Sequence, residues 1–469
     1  MSIKKFFIQA DTTVYNALKT DLSERVKGAN TGFADSLEAF FLFGQDIRSD
    51  AVLLDKLDEA RILIYPDLKK IWDHYTDAPS DTKFILKLFN AEHPFTLPKG
   101  FSLEVVAINT PWDEGTGLDM DNYSDVGAAS WLERKKGVSW DGAGGDITTV
   151  AELETVGTVT FEQGQEDLEL DITDFIINNW NGEEALSFIL KLPSGLTDGS
   201  SEDNYYTKKF FSRSSEFFYK RPVIEARSSD SISDDRGRLY KSSPAYVDNS
   251  NSLYLYNIVD GQRVSFAALP SLDIFDTEDM SGQAVVTGVV TEEKTGVYKS
   301  DVEIPNTVTV DTVYERWTAN GVVVKTGPIN LLEREPSVDT GSLDYFISIT
   351  NLKNSYSSRE TAKFRLYTRL KDWNPTIYTV ATKGTENNIV DKTYYKIVRL
   401  VDDETVIDYG IGTELGNNEH TKLSYDATGN YFDFDMSLLE PGYMYGIKFM
   451  FLLNGEALEQ PEIFKFRVD

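Results

Sequence analysis

Three aspartates at near-alternate positions, Asp119, Asp121 and Asp125, offer the carboxylate oxygens that a hard cation such as Ca²⁺ prefers. The run that starts at Asp119 departs from the EF-hand pattern, because its sixth position is Ser124 rather than Gly and its twelfth is Ser130 rather than Glu. The alternative interpretation is a polar β-turn, in which such side chains accept hydrogen bonds from their own backbone. We therefore expect no cofactor, and calcium at the three aspartates is the one exception to test.

A glycine-rich stretch, Gly142-Ala143-Gly144-Gly145, lies between Asp141 and Asp146. It lacks the Lys-Ser/Thr pair that completes a phosphate-binding loop, so phosphate binding is unsupported. The two flanking aspartates make this a second oxygen-rich loop, to which the same two interpretations apply.

Two tryptophans, Trp112 and Trp140, each stand next to an aspartate and near a glycine. An exposed indole can stack on the apolar face of a sugar ring while nearby carboxylates and amides bind the hydroxyls. Packing in the core is the alternative for these as for the other aromatic residues. Trp112 and Trp140 are the candidate glycan-binding residues.

No catalytic constellation is evident in the sequence. His74, His93 and His420 are far apart, and no Gly-x-Ser-x-Gly nucleophile elbow occurs. The 76 acidic residues could include the carboxylate pair of a glycosidase, but at this abundance a solvated acidic surface is the favoured explanation. We expect a protein that is not an enzyme, and a glycosidase is the least favoured alternative.

The charge balance limits the possible partners. The chain has 469 residues, 46 basic against 76 acidic side chains, a net charge of -30 and no cysteine. Broad contact with nucleic acid is disfavoured, and disulfides, thiolate catalysis and Cys-ligated metals are excluded. No run of about 18 apolar residues predicts a membrane span. Because Asp11 interrupts the apolar amino end, we expect no cleavable export signal.

Most of the chain alternates between apolar and polar residues in short runs bounded by Gly, Asn, Asp and Pro, which predicts β-strands. The clearest runs are 158–161, 187–192, 364–370, 395–400 and 464–468. Residues 171–180 instead have helical spacing and predict a short helix or turn. Residues 53–75 are ambiguous, although Pro66 favours a strand that ends just before it. The predicted fold class is all-β.

Composition also divides the chain. Residues 228–238 are rich in Ser and Asp and nearly free of apolar side chains, which is typical of a linker. A second boundary is predicted within residues 333–341. We therefore predict three β-sandwich domains in tandem, with a first domain at 1–227, a linker at 228–241, a second domain at 242–335 and a third at 336–469.

The first domain contains an ordered set of short strings: 10–14, 30–37, 60–64, 129–131, 170–175 with Trp180, 211–216 and 221–226. In their order these strings resemble the DNRLRE-type, carbohydrate-binding-module-like jelly-roll family. It implies a jelly roll and allows sugar binding. The family's ligand contacts are too variable to assign to residues of this chain, and the segment after Asn30 is longer than usual.

The second domain contains the strings 251–261, 295–298 and 314–317, and the third contains 360–367, 371–375, 423–426 and 429–433. These strings resemble, in turn, an Ig-like domain and the carboxyl-terminal region of structural proteins in large tailed bacteriophages. The resemblance implies a virion component assembled in the host cytoplasm. Its expected partners are other virion proteins and further copies of itself in a ring or other symmetric set, with host glycans possible and with no nucleic acid and no membrane.

The acidic charge balance and the resemblance to phage structural proteins both favour a virion surface protein. The acidic balance favours an outer surface of neck, tail or head, because a surface facing packaged DNA would be expected to carry more basic residues. The first hypothesis is a non-enzymatic structural component of a tailed phage virion. The alternative is a carbohydrate-binding protein that attaches to host surface glycans through the first domain.

Overall fold

The computed structural model describes twelve stretches of the chain: residues 3–19, 24–43, 57–75, 77–92, 98–145, 155–182, 186–197, 205–334, 344–377, 387–412, 419–453 and 455–469. The contacts within it separate two compact units. The first contains Ser2–Ser229, and the second contains Asp230–Ile411 and Thr421–Asp469.

The first unit is built from fourteen described strands and three short helices. The strands are β1 (Ile3–Phe7), β2 (Ala10–Leu18), β3 (Arg25–Val26), β4 (Ser36–Phe43), β5 (Leu57–Tyr65), β6 (Thr82–Leu88), β7 (Phe101–Ile108), β8 (Glu133–Lys135), β9 (Val138–Ser139), β10 (Thr155–Phe161), β11 (Leu168–Asp171), β12 (Ser187–Lys191), β13 (Tyr205–Phe211) and β14 (Val223–Ser228). The helices are α1 (Lys69–His74), α2 (Thr173–Asn178) and α3 (Ser194–Thr197), and 3-10 turns lie at Ala143–Gly145 and Phe218–Lys220.

These strands form two main antiparallel sheets. One has four strands in the order β1-β14-β6-β11. The other has eight, in the order β10-β7-β12-β5-β2-β3, with β4 paired to β5 and β13 paired to β4. A small hairpin, β8-β9, stands apart from both sheets.

The main core of the first unit follows from the period-two pattern. Along β7, Leu103 and Val105 are fully buried, whereas Glu104 between them is partly exposed. Phe84 of the four-stranded sheet and Ile62 of the eight-stranded sheet belong to the same apolar cluster, which makes the pair of sheets a β-sandwich. Burying each such side chain contributes about 1.5–3 kcal/mol to folding.

Two places that the sequence marked as unlike strands are now defined. The run around 171–180 is a helix, α2, that buries Phe175 and Ile176, as predicted. The ambiguous region contains both elements, since β5 ends at Tyr65, immediately before Pro66, and α1 follows.

The second unit holds the remaining strands: β15 (Leu239–Tyr240), β16 (Asn251–Tyr256), β17 (Ile258–Val259), β18 (Gln262–Arg263), β19 (Ser271–Phe275), β20 (Val286–Lys294), β21 (Val297–Val302), β22 (Thr312–Ala319), β23 (Val322–Leu332), β24 (Tyr345–Ile349), β25 (Ser355–Tyr356), β26 (Thr361–Leu370), β27 (Thr393–Arg399), β28 (Glu404–Ile407), β29 (Ser424–Asp426), β30 (Gly429–Asp435), β31 (Met444–Leu453), β32 (Glu456–Glu459) and β33 (Phe464–Val468). It also has 3-10 turns at Asp235–Gly237 and Met436–Leu438.

The earlier strands of this unit form one seven-stranded sheet, in the order β15-β23-β22-β19-β20-β21-β16, with β17-β18 as a separate hairpin. Trp317 and Tyr298 are fully buried in its core. The later strands form a four-stranded sheet, β24-β26-β30-β29, and a six-stranded sheet, β25-β33-β31-β27-β28 with β32 beside β31. The stacked rings of Tyr395 and Phe432, 4.3 Å apart, lie in the core of this last part.

The chain is therefore all-β, as its alternation predicted, with its strands packed as β-sandwiches. The seven-stranded sheet lies within residues 239–332 and the later sheets within 345–468. The predicted boundary at 335/336 lies outside the described residues. No described helix combines the length and the apolar character that crossing a membrane requires.

Candidate functional site

The outer face of the eight-stranded sheet carries a second apolar cluster, which we call the tryptophan cluster. Leu63 belongs to it, whereas its neighbours Ile62 and Ile64 belong to the main core, so period two projects Leu63 to the opposite face. Its buried members are Val14, Leu63, Ile108, Ala129, Trp131, Trp140 and Ile189, and Trp112 packs against it.

Trp140 lies inside this cluster. Its side chain is 6% exposed, and its Nε1 donates to the carbonyl oxygen of Ser130 at 2.8 Å. The guanidinium of Arg61 covers neighbouring Trp131, at 4.9 Å from the centre of its ring. The same guanidinium donates to the carbonyl oxygen of Gly144. Trp140 is therefore not the exposed sugar platform that the sequence predicted, because the turns beside it fold the ring back onto the sheet.

Trp112 is half-buried and lies in the wall of a small pocket. Its Nε1 donates to Ser187 Oγ at 3.1 Å, which fixes the plane of the ring. The pocket has a volume of about 200 Å³ and is lined also by Ala10, Tyr65 and Pro111. Two rings, a proline and a hydroxyl suit the face of one small ring-shaped ligand, and the volume lies below the ~300–1,000 Å³ typical of drug-sized ligands.

A buried ionic group begins one residue from this pocket. The amide of Asp11 donates to Glu114 Oε1 at 2.9 Å, and Glu114 also accepts two bonds from the guanidinium of Arg213. Asp11 Oδ2 accepts from the amide of Arg213 at 2.6 Å, whereas Oδ1 has no hydrogen-bond partner within the described part of the chain. Burial raises the pKa of Asp11 to about 7, although the Arg213 amide favours the charged form.

Two of the three candidate calcium ligands, Asp119 and Asp125, accept hydrogen bonds from backbone amides. Asp119 Oδ1 accepts from the amides of Asp121, Asn122 and Tyr123, at 2.7, 2.6 and 3.1 Å. These donors, the Tyr123 amide first, hold the pKa of Asp119 below its usual value. Asp125 Oδ2 accepts from the amide of Thr116 at 2.8 Å.

This geometry is that of the polar turn, the alternative that the sequence left open for these aspartates. Across the described residues, no group of three or more His, Asp or Glu side chains is arranged to hold a metal ion. Asp141 is exposed, and Asp146, the other aspartate of the second oxygen-rich loop, lies outside the described residues.

The segment predicted as a linker, 228–241, contains a buried ionic joint. Arg236 donates from Nε and Nη2 to the two carboxylate oxygens of Glu315 on β22, both at 2.8 Å, and from Nη1 to Asp234 at 2.6 Å. Trp317 Nε1 donates to the same carboxylate at 2.7 Å. The Glu315 side chain is 2% exposed and that of Arg236 is 13% exposed, so most of this pairing is shielded from water.

The same segment is also bonded to β29. Asp235 Oδ1 accepts from the hydroxyl of Tyr425 at 2.9 Å, and Arg238 Nη2 donates to that hydroxyl at 2.8 Å. The amide of Asp234 donates to the carbonyl of Tyr425, and the amide of Tyr425 donates to the carbonyl of Ile232. Residues 232–238 therefore tie the seven-stranded sheet to the later sheets of the same unit.

Sequence reasoning identified Trp112 but not its pocket partners. Tyr65 and Ala10 meet because they are register partners on β5 and β2, and an isolated sequence does not reveal such a register. Among the histidines, His74 packs edge-on against Phe6 and Tyr75, whereas His93 lies outside the described residues.

Comparison with known proteins identifies no family for the chain: no family model and no curated protein matches it. Among the solved structures that match, a titin A168–A169 fragment is 10% identical, aligned over 50% of this chain and 95% of its own, with a TM-score of 0.15. The tandem Ig repeats of Dlar are 10% identical over 50% of this chain and 93% of theirs, with a TM-score of 0.14. A Salmonella alpha-2-macroglobulin mutant is 10% identical over 98% of this chain and 32% of its own, with a TM-score of 0.15. At TM-scores this low, none of these likenesses bears on what the chain does.

Proposed function

We propose that this chain is a non-enzymatic structural component of a tailed phage virion, that it occupies an outer surface of neck, tail or head, and that it acts through protein–protein contacts. The observation that carries the proposal is the buried ionic joint. A segment rich in Ser and Asp would ordinarily be a flexible connection, but here Arg236, Glu315, Asp235 and Tyr425 hold two sheet assemblies in one arrangement.

A fixed joint has a physical use in an assembly. Ordering a flexible connection costs conformational entropy each time a subunit docks, and a connection already ordered by folding avoids that cost. The strings shared with phage structural proteins support the same proposal, as does a net charge of -30, which suits a surface that must not adhere to DNA. Such components usually act as symmetric sets of copies, and we propose a ring or similar set here.

Mass spectrometry of purified phage particles, followed by cryo-electron microscopy, tests this proposal. We expect the chain among the virion proteins in a stoichiometry that matches a symmetric set, with density on an outer surface. Absence of the chain from particles that are otherwise complete would refute it.

The pocket beside Trp112 favours a second candidate function, attachment to host surface glycans through the first unit. Its two rings offer stacking faces, and the Ser187 hydroxyl offers a polar group for sugar hydroxyls. On a glycan array, Trp112→Ala should weaken binding about tenfold or more, whereas Trp112→Phe should retain part of it because a flat ring remains.

Trp140→Phe serves as the control, since Trp140 is buried in the tryptophan cluster and does not line the pocket. Amide exchange in β12 should match wild type in each variant, which confirms that the sheet is intact. Binding that is equal in wild type and Trp112→Ala, or a wild-type chain that binds no glycan, would count against this second function.

A further inference from the structure

The loop of residues 115–127 folds compactly against Asn30 and Phe33. The amide of Phe33 donates to the carbonyl of Gly117 at 2.9 Å, and the amide of Leu118 donates to the carbonyl of Tyr123 at 2.8 Å. A Cβ on Gly117 would lie 1.8 Å from the carbonyl oxygen of Asn30, so only glycine allows this approach. Together with the three amides bound by Asp119, these contacts give the loop a defined shape.

This loop exposes its large apolar side chains to solvent. Tyr123 is 68% exposed, Leu118 55% and Val126 79%, and Phe33 beside them is 46% exposed. We call these four residues the apolar loop surface. Single exposed apolar side chains are normal, but three on one short, well-bonded loop, with Phe33 on the segment bonded to it, are the kind of grouping that marks an interaction site.

Acidic side chains predominate around this surface. Residues 115–127 include Asp119, Asp121 and Asp125 and no Lys or Arg, and Asp35 is exposed near Phe33. One basic side chain, that of Lys136, lies beside Gly127 at the end of the loop. An apolar centre inside an acidic rim is complementary to an apolar centre inside a basic rim.

From these observations we infer that the apolar loop surface docks a partner protein whose contact face has an apolar centre surrounded by Lys and Arg. The inference rests on the proposed assembly function and names the chemistry of one of its partners. A second copy of this chain is a poor match, because its net charge of -30 would bring acidic faces together. The rings and aliphatic groups would supply the buried area, and the aspartates would exclude partners with acidic rims.

A protein partner fits this surface better than a sugar does. Sugars stack on flat rings, whereas Leu118 and Val126 are aliphatic and among the most exposed members of the surface. Oδ1 of the Asp119 carboxylate already accepts from three amides, so this side chain shapes the loop.

Two peptide probes test the inference on the purified full-length chain. One is a helical peptide with leucines along one face and lysines on both flanks, and the other has glutamate in place of each lysine. By fluorescence anisotropy, wild type should bind the lysine peptide and not the glutamate peptide. Tyr123→Ala and Leu118→Ala should each weaken binding of the lysine peptide about tenfold or more. Tyr205→Ala, which removes another exposed ring of the first unit, should leave binding unchanged.

Three outcomes would overturn the inference. The lysine peptide could bind wild type and Tyr123→Ala equally, which would mean that net charge alone attracts it. The glutamate peptide could bind as tightly as the lysine peptide. Tyr123→Ala could abolish binding to a glycan array, which would assign the surface to sugars. None of these depends on finding the chain in virions, so failure here and failure of the proposed function are separate results.

Discussion

Replacing Glu315 by Gln tests the ionic joint directly. The substitution keeps the shape of the side chain and removes its charge, which leaves Arg236 buried with Asp234 as its remaining carboxylate. Breaking a buried pair by neutralising one partner typically costs about 3–5 kcal/mol. Because Asp234 still accepts one bond from Arg236, we expect the lower end of this range for Glu315→Gln.

Asp273→Asn is the matched control. Asp273 lies opposite Arg316 on the neighbouring strand of the same sheet, at 3.4 Å, but the two side chains are 24% and 33% exposed. A pair in contact with water contributes about 0–1 kcal/mol. The two variants remove the same type of charge from the same sheet. They differ in that the ion pair of Glu315 is buried and the ion pair of Asp273 is partly exposed.

Urea unfolding followed by hydrogen exchange of the β22 and β23 amides measures both variants in the full-length chain, separately from the first unit. The pH dependence gives an independent check. Burial alone would raise the pKa of Glu315, but the hydrogen bonds and charge of Arg236 outweigh it and hold the pKa below the usual 4.5. The wild-type advantage over Glu315→Gln should therefore be complete above about pH 4.5 and shrink as the pH falls further. A cost near that of Asp273→Asn, with no pH dependence, would refute the account of the joint.

Three further predictions concern other buried or crowded groups. The pKa of Asp11 is about 7 in the folded protein against 3.8 for the free side chain, so between these pH values the folded chain keeps a proton that the unfolded chain has lost. The stability of the first unit should therefore fall by up to about 4 kcal/mol from pH 4 to 7. Urea midpoints of Asp11→Asn should not show that fall. Lys208 is fully buried with its pKa lowered to about 8 by burial, so the wild type should gain stability from pH 8 to 10.5 and Lys208→Met should not; a parallel pH profile in the two proteins would contradict this. Gly117→Ala should displace the loop from Asn30, speed amide exchange at Tyr123 and abolish binding of the lysine peptide, and unchanged exchange there would show that the close approach does not hold the loop.

The elements that the sequence predicted best are those in which one face is buried. Phe364 and Leu366 are buried on β26 while Arg365 between them is partly exposed, so alternation alone locates the strand. The helix at 173–178 was equally readable from Phe175 and Ile176. These patterns are local, and each follows from contact with a single core.

Buried charges could not be predicted, because burial of a polar side chain depends on partners that are remote in sequence. Lys208 is fully buried and its Nζ donates to Asn90 Oδ1 and to the carbonyls of Gly164 and Glu166, at 2.7, 2.9 and 2.7 Å. Glu225 lies 3.5 Å from Lys5, its partner on the adjacent strand, and both are buried. Composition suggests solvent exposure for every one of these residues, and the pairing register decides otherwise.

The composition of 228–241 predicted a linker, and the boundary between the two compact units falls within this segment, at Ser229/Asp230. The same composition also allows an ordered segment. Ser and Asp are typical of linkers because they bond readily to backbone amides, and that same property lets them order a segment when acceptors and donors are near. Asp235 accepts from the amide of Ser252 as well as from Tyr425, and Asp234 accepts from the amide of Arg236. A flexible polar segment and an ordered joint can thus have the same composition. In this chain Glu315 and Tyr425 bond to the segment and order it.

The acid excess has a structural origin of the same kind. Eight described aspartates accept a hydrogen bond from the amide two residues further on: Asp119, Asp171, Asp234, Asp248, Asp279, Asp402, Asp426 and Asp435. An amide donor of this kind favours the charged form of an aspartate. Four of the eight, Asp171, Asp234, Asp402 and Asp426, also have a basic side chain within 4 Å. An all-β chain with this many strand connections accumulates such turns, so part of its negative charge follows from the fold. The acidity of this chain is therefore explained by its turns before catalysis or metal binding is invoked. The aspartates beside the apolar loop surface likewise have two roles, since they shape the loop and would select its partner.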